Sequence, residues 1–142
     1  MQIDQQTELL FRLNVPARPE RLALVRAVTQ RMAEQAGCST DTAQKLVIAI
    51  NEVCMNIIQH AYQGDVNGLY VMEVKRNAQT LYFRFEDYAR PVDLDKVKPR
   101  ALEDIRPGGL GVHFIREIMD SLEMGHLQDG KGNYLELMKN IE

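Results

Sequence analysis

The chain has no apolar run near the length that a bilayer span needs, so a membrane-embedded protein is not expected. It has no excess of basic charge either. Seventeen Lys and Arg face twenty Asp and Glu, and the net charge of −3 offers no global field for nucleic acid. Cysteine is scarce: Cys38 and Cys54 form no disulfide framework and no pair with zinc-ligand spacing. Cys54 falls on the apolar face of a helical stretch and reads as a small buried hydrophobe. No internal repeat and no low-complexity tract is present. The first residues, MQIDQQTELLFRL, carry acids and glutamines where a signal peptide carries Lys or Arg and then an apolar block. The expectation is a cytoplasmic protein without membrane attachment or direct nucleic-acid binding. What is present, 142 residues with 45% hydrophobic content, suffices for one domain with a real core over residues 1–142.

The organising stretch is 42–62, TAQKLVIAINEVCMNIIQHAY. Apolar side chains recur at steps of three and four, from Ala43 and Leu46 through Ile50 and Val53 to Ile57 and Ala61. That is the period of one helix face. Glu52, Asn56 and His60 interrupt it at steps of four, which puts them in one slanted row on neighbouring turns. A carboxylate, a carboxamide and an imidazole beside an apolar stripe are either a solvated edge or the lining of a charged, metal-bound ligand site.

Around this helix the chain alternates in character. Residues 7–15, TELLFRLNV, predict a strand with Leu9, Phe11, Leu13 and Val15 on one side. Residues 20–36 predict a helix with the stripe Leu22, Val25, Val28, Met32 and Ala36; Gly37 stops it, and Ser39 or Thr40 caps the next helix. Residues 69–76 and 79–87 alternate strongly and predict an antiparallel hairpin across Asn77-Ala78. A charged, proline-containing loop of about twenty residues follows, a length that suits a functional or mobile segment. The glycine run 108–111 then leads into a third helix, VHFIREIMDSL. Residues 122–127 and 134–138 predict a last hairpin. The implied class is α+β, a two-layer sandwich of helices packed on one face of a mostly antiparallel sheet.

Two further stretches carry chemistry. Glycines ahead of a helix let the backbone approach a ligand, and the helix's free N–H groups favour an anion. The run Gly108, Gly109, Leu110, Gly111 is a phosphate cradle in that general sense, though it matches neither standard phosphate-loop motif, and such runs are often only turns. Asp87 closes an apolar strand. An ionised carboxylate only accepts hydrogen bonds, so it suits an exocyclic amine such as that of adenine; a plain turn cap is the alternative.

The order Glu52-x-x-x-Asn56-x-x-x-His60-Ala61-Tyr62, then Asp87, then Gly109-Leu110-Gly111-Val112 resembles the GHKL ATPase superfamily with its Bergerat-type α/β sandwich. Within it, the chain is most similar to the small anti-sigma-factor serine kinases of bacteria, the RsbW type, from about Glu8 to Lys139. Gly132-Asn133 resembles the family's final glycine box more loosely. The resemblance implies Glu52 as general base and Asn56 as protein ligand to Mg²⁺. It implies Asp87 as adenine reader and 108–112 as phosphate loop, with Arg106 before it and an ATP lid over 94–107. The implied reaction is transfer of the ATP γ-phosphoryl group to a serine of a STAS-domain anti-anti-sigma protein. The implied second partner is a sigma factor or other regulator, and the implied assembly is a homodimer, with Arg26 as a contact residue.

Two departures bear on this. The family usually has Asp-x-Gly where this chain has Asp87-Tyr88-Ala89. An alanine forced to positive φ would cost about 1–2 kcal/mol, roughly tenfold in affinity. The hydroxyl residue often found in the final strand is also not evident; Tyr134 and Glu136 stand in that region. Two classes therefore stay open at this point: an active Mg-ATP-dependent kinase, and a GHKL-fold binding module that sequesters a regulator with weak or no nucleotide binding.

Overall fold

The computed structural model describes residues 7–90 and 109–141, without the side chains of 109–112 and 129. Among the described residues, five strands and three α-helices follow one another along the chain. They are β1 (Glu8–Pro16), α1 (Leu22–Ala36), α2 (Thr40–Asn56), β2 (Leu69–Arg76), β3 (Thr80–Asp87), α3 (Gly109–Ile118), β4 (Ser121–His126) and β5 (Asn133–Asn140). The strands form one antiparallel sheet in the order β1-β2-β3-β5-β4. The expected α+β class and two-layer arrangement are what the chain adopts, with α1 packed on α2 and α2 on α3.

The sheet's inner face follows from parity. Phe11, Val74, Phe83, Leu137 and Leu122 lie opposite one another in a row across all five strands, and Leu13, Met72, Phe85, Leu135 and Met124 form the next. Against these rows pack Val25, Met32, Leu46, Ile50, Val53 and Ile115 from the helices. Burial of such side chains stabilises by about 1.5–3 kcal/mol each. A bulge between Leu9 and Phe11 shifts the register of β1, so Leu9 does not join Phe11, Leu13 and Val15 inside; it is exposed opposite Lys75. In α1 the buried position is Thr29 rather than Val28, and its hydroxyl donates to the Val25 carbonyl at 2.8 Å. Gly37 ends α1 in the left-handed conformation at φ 93°, and the Ser39 hydroxyl accepts from the Thr42 amide at the start of α2.

The outer face is charged and internally paired. Arg12, Glu73, Arg84, Glu136 and Glu123 stand in direct register across the five strands. Arg12 binds Glu73 at 2.7 Å and Glu86 at 3.3 Å; Arg84 binds Glu86 at 2.8 Å and also Glu136. The Arg84 guanidinium lies 4.6 Å over the Tyr134 ring. That ring occupies the space that a side chain at Gly125 would need, so Gly125 permits the stack. A depression on this face is lined by these same groups with Lys75 and Tyr82, and their charges are already spent on one another.

One core group is ill served. The Tyr70 hydroxyl is buried and makes no hydrogen bond among the described residues. It faces the Cys54 thiol, a weak partner, and burial pushes that thiol up to about 12. An unsatisfied buried hydroxyl costs about 1–3 kcal/mol. Tyr70→Phe is therefore expected to raise the stability of the isolated protein by about 1 kcal/mol. A urea titration checks this, and a lowered midpoint would mean that the hydroxyl has a partner such as ordered water.

Candidate functional site

The site is built where α2 ends and β3 ends. The α-helical step stops at Asn56, and Ile57–Ala61 form one wide π-helical turn. This corrects the expected unbroken helix over 42–62. A π-turn changes the angular step, so four residues no longer separate neighbours on one face. Glu52 and Asn56 keep their shared row on α2 and are partly buried, whereas His60 lies in the wide turn and is exposed. Among the described residues, neither Glu52 nor Asn56 has a hydrogen-bond or ion-pair partner. Asn51 and Arg26 do: the Arg26 guanidinium donates to the Asn51 side-chain oxygen at 3.0 Å, joining α1 to α2.

Asp87 sits on the inner face because it shares strand parity with Phe83 and Phe85. It is 7% exposed, and its register partners are Tyr70 on β2 and Asn133 on β5. Two donors meet the same carboxylate oxygen. Asn133 Nδ2 lies 2.8 Å and the Ala89 amide 3.2 Å from Asp87 Oδ1. Oδ2 has no hydrogen-bond partner among the described residues. Burial pushes the Asp87 carboxyl above its usual value, and the two hydrogen bonds oppose that rise. The arrangement is an anchored carboxylate presenting one acceptor, suited to a neutral donor such as an aromatic amine.

Asn133 entered the sequence reading only through the loose glycine-box resemblance, with no role assigned to it. Tyr134 and Glu136, the candidates for the final strand, point to the outer face, where they meet Arg84. Asn133 instead faces Asp87 and also donates to the Arg90 carbonyl at 3.0 Å, tying down the segment after β3. Its signal was parity with Leu135 and Leu137. Gly132 before it is required by packing: a Cβ there would lie 2.0 Å from the Asp87 carbonyl oxygen, at φ +156°.

Ala89 differs from expectation. Gln63 is the one non-glycine residue at positive φ among the described residues, so Ala89 carries no left-handed strain. The anticipated cost of 1–2 kcal/mol does not arise. The turn places the Ala89 amide on Asp87 without the glycine conformation. The glycine run also differs: α3 starts at Gly109, so Gly109, Leu110, Gly111 and Val112 are its first residues rather than a loop before it. The apolar stripe of the helix, with Ile115 and Met119 in the core, outweighs the poor helix propensity of two glycines. Arg106, Gly108 and the 94–107 segment lie outside the described residues.

The donor set can be tested against the nucleotide and metal that the resemblance implies. One neutral amide oxygen on a partly buried helix edge fits Mg²⁺ held chiefly by phosphates and water, since this ion keeps much of its hydration shell. The free Asp87 oxygen fits an exocyclic amine. No helix among the described residues is long and apolar enough to cross a membrane.

Comparison with known proteins identifies the family and the fold. The sequence profile of the histidine kinase-like ATPase domain matches residues 15–139. The chain is 31% identical over 125 residues to the serine-protein kinase RsbW of Bacillus cereus (strain ATCC 10987 / NRS 248), covering 80% of this chain and 76% of that protein. It is 32% identical over 123 residues to RsbW of Bacillus thuringiensis (strain Al Hakam), with the same two coverages. Among solved structures it is similar in fold to the RsbU and RsbW domains of Rv1364c from Mycobacterium tuberculosis. The TM-score is 0.67 at 16% identity, over 92% of this chain and about a third, 31%, of that one. It is likewise similar to a chain of the SiaB-SiaC complex from Pseudomonas aeruginosa, with a TM-score of 0.66 at 15% identity, over 94% of this chain and 91% of that one. The chain belongs to the histidine kinase-like ATPase domain family, and within it is a relative of the RsbW serine-protein kinases.

Proposed function

We propose that this protein is an ATP-dependent serine-protein kinase of a partner-switching module. It transfers a phosphoryl group to a STAS-domain anti-anti-sigma protein and, when free of it, sequesters a sigma factor or other regulator. The observation that carries the reading is the Asp87 carboxylate, anchored through Oδ1 and with no partner on Oδ2 among the described residues. A buried, costly acceptor held by two donors is poor design for stability alone and good design for recognising a base amine.

In this reading Asp87 accepts from the adenine amine. Asn56 would hold the magnesium ion, which would supply charge neutralisation for the phosphates, and the N-terminus of α3, Gly109 to Val112, with Gly108 and Arg106 before it in sequence, would cradle them. Glu52, one turn before Asn56, takes the proton of the attacking serine hydroxyl. Such a reaction needs positioning and charge stabilisation more than covalent chemistry from the protein. Similarity to serine-protein kinases supports the kinase assignment, and so does the absence of strain at Ala89, since strain there is the feature that favours a module without nucleotide. The homodimer and the cytoplasmic location belong to the same proposal.

Calorimetric titration with ATP and ADP, with and without Mg²⁺, tests it. The wild type is expected to bind both nucleotides, more tightly with the metal. Asn56→Ala, on the polar row and away from the core, is expected to fold normally and to lose the metal enhancement. Absence of binding up to millimolar nucleotide would overturn the kinase reading in favour of a nucleotide-independent sequestering module. Unchanged Mg-ATP affinity in folded Asn56→Ala would remove Asn56 from the metal.

A further inference from the structure

The bonds around Tyr62 point to a role that the active-site reading leaves unassigned. We propose that Tyr62 is a positioning residue: its hydroxyl locks the peptide between Asp87 and Tyr88 to the end of the metal-binding helix, and so fixes the direction of the adenine-reading carboxylate. The inference rests on the nucleotide reading above and deepens it.

Tyr62 stands at the exit of the π-turn, with its amide bonded to the Ile57 carbonyl at 2.9 Å. Gln63 then turns the chain at φ 52°, and the Gly64 amide closes back on the Ile58 carbonyl at 3.1 Å. The aromatic ring lies flat against Gly68. A Cβ at that position would come within 2.6 Å of the ring, so only glycine admits it. Seated there, the phenol uses its single donor and one lone pair. It donates to the Leu69 carbonyl at 2.5 Å and accepts from the Tyr88 amide at 2.9 Å. A phenol is protonated at neutral pH and so able to donate, and burial raises the Tyr62 hydroxyl further from ionisation.

The Tyr88 N–H belongs to the same peptide plane as the Asp87 carbonyl. That carbonyl is the group against which Gly132 packs with no room for a side chain. The plane is therefore gripped on both sides, by a hydroxyl and by a glycine backbone. The Asp87 side chain springs from the residue so held, and Asn133 fixes its Oδ1. The residue that follows the π-turn and the hairpin before β5 meet on one peptide, and the start of β2 holds the hydroxyl that grips it. Tyr62 is the part of this clamp that reaches back to the helix carrying Glu52 and Asn56. It thus couples the site's base-reading end to its phosphate end.

Tyr62→Phe keeps the ring on Gly68 and removes only the hydroxyl. The expected result is about tenfold weaker binding of ATP and ADP alike, consistent with loss of one ordering hydrogen bond. The ratio of affinities with and without Mg²⁺ should stay that of the wild type, because Asn56 is untouched. In the nucleotide-free protein, hydrogen exchange of the Tyr88 amide should be slow in the wild type and at least tenfold faster in the variant. Affinity lost only in its metal-dependent part would overturn the proposal, as would full affinity in Tyr62→Phe. A Tyr88 amide that exchanges in the wild type at the rate of an open loop would overturn it without any variant. If the wild type binds no nucleotide, the kinase reading falls, and the Tyr88 exchange rates alone still decide the clamp.

Discussion

Asp87→Asn is expected to lose nucleotide by about a hundredfold or more while the protein remains folded. The asparagine oxygen can stay where Oδ1 is, accepting from Asn133 and from the Ala89 amide. Its amide nitrogen then replaces Oδ2, and a donor faces the donor of the base. The apo protein should meanwhile gain stability at neutral pH. The carboxyl is raised above its usual range mainly by burial, so the folded state binds the proton more readily than the unfolded chain. Between the unfolded and the folded value the native state carries the extra proton, and stability falls as pH rises through that window. Above it the ionised carboxylate is a standing cost to the empty site. Thermal melts of both proteins at pH 4 and pH 7 measure this: the wild type should lose stability between the two relative to Asp87→Asn. A variant that melts lower at pH 7 would show that the carboxylate is stabilising as it stands.

Glu52→Gln is expected to leave Mg-ATP affinity within about twofold of wild type. Phosphoryl transfer to a STAS-domain substrate should slow by about 10²–10⁴, the usual contribution of a positioned general base. Glutamine keeps the shape and removes the proton acceptor. Glu52 is not part of the hydrophobic core, so the change leaves core packing intact. Single-turnover transfer of labelled phosphate measures the rate apart from binding. Transfer at the wild-type rate would exclude Glu52 as the base and leave positioning alone to drive the reaction.

Much of this molecule was legible in its residues, for physical reasons that can be named. Gly37, Ser39 and the apolar stripes reported the helix hairpin because caps and periodicity are local properties. Asp87 was legible because a carboxylate on the inward parity of an apolar strand is out of place. Leu9 was misread because a bulge is invisible to alternation, and one inserted residue sends it to the other face. His60 was read into a row that the π-turn breaks; no residue in IIQHA announces a wider turn. The start of α3 within its glycines came from packing that overrides propensity. Asn133 was masked by its neighbours, since Gly-Asn beside Asp-Gly reads as turn material until strand parity sets it opposite Asp87.

The row of charged side chains on the outer face has a consequence for how the molecule meets its surroundings. The inner face is held by apolar contact, which added salt does not screen. The outer face is tied laterally by Arg12 and Arg84 to carboxylates that remain partly solvated, and ions compete for those ties. A single sheet therefore presents one side that senses ionic strength and one that does not. The anchored carboxylate lies on the insulated side, so the base recognition proposed for it is shielded from ionic changes that loosen the opposite surface.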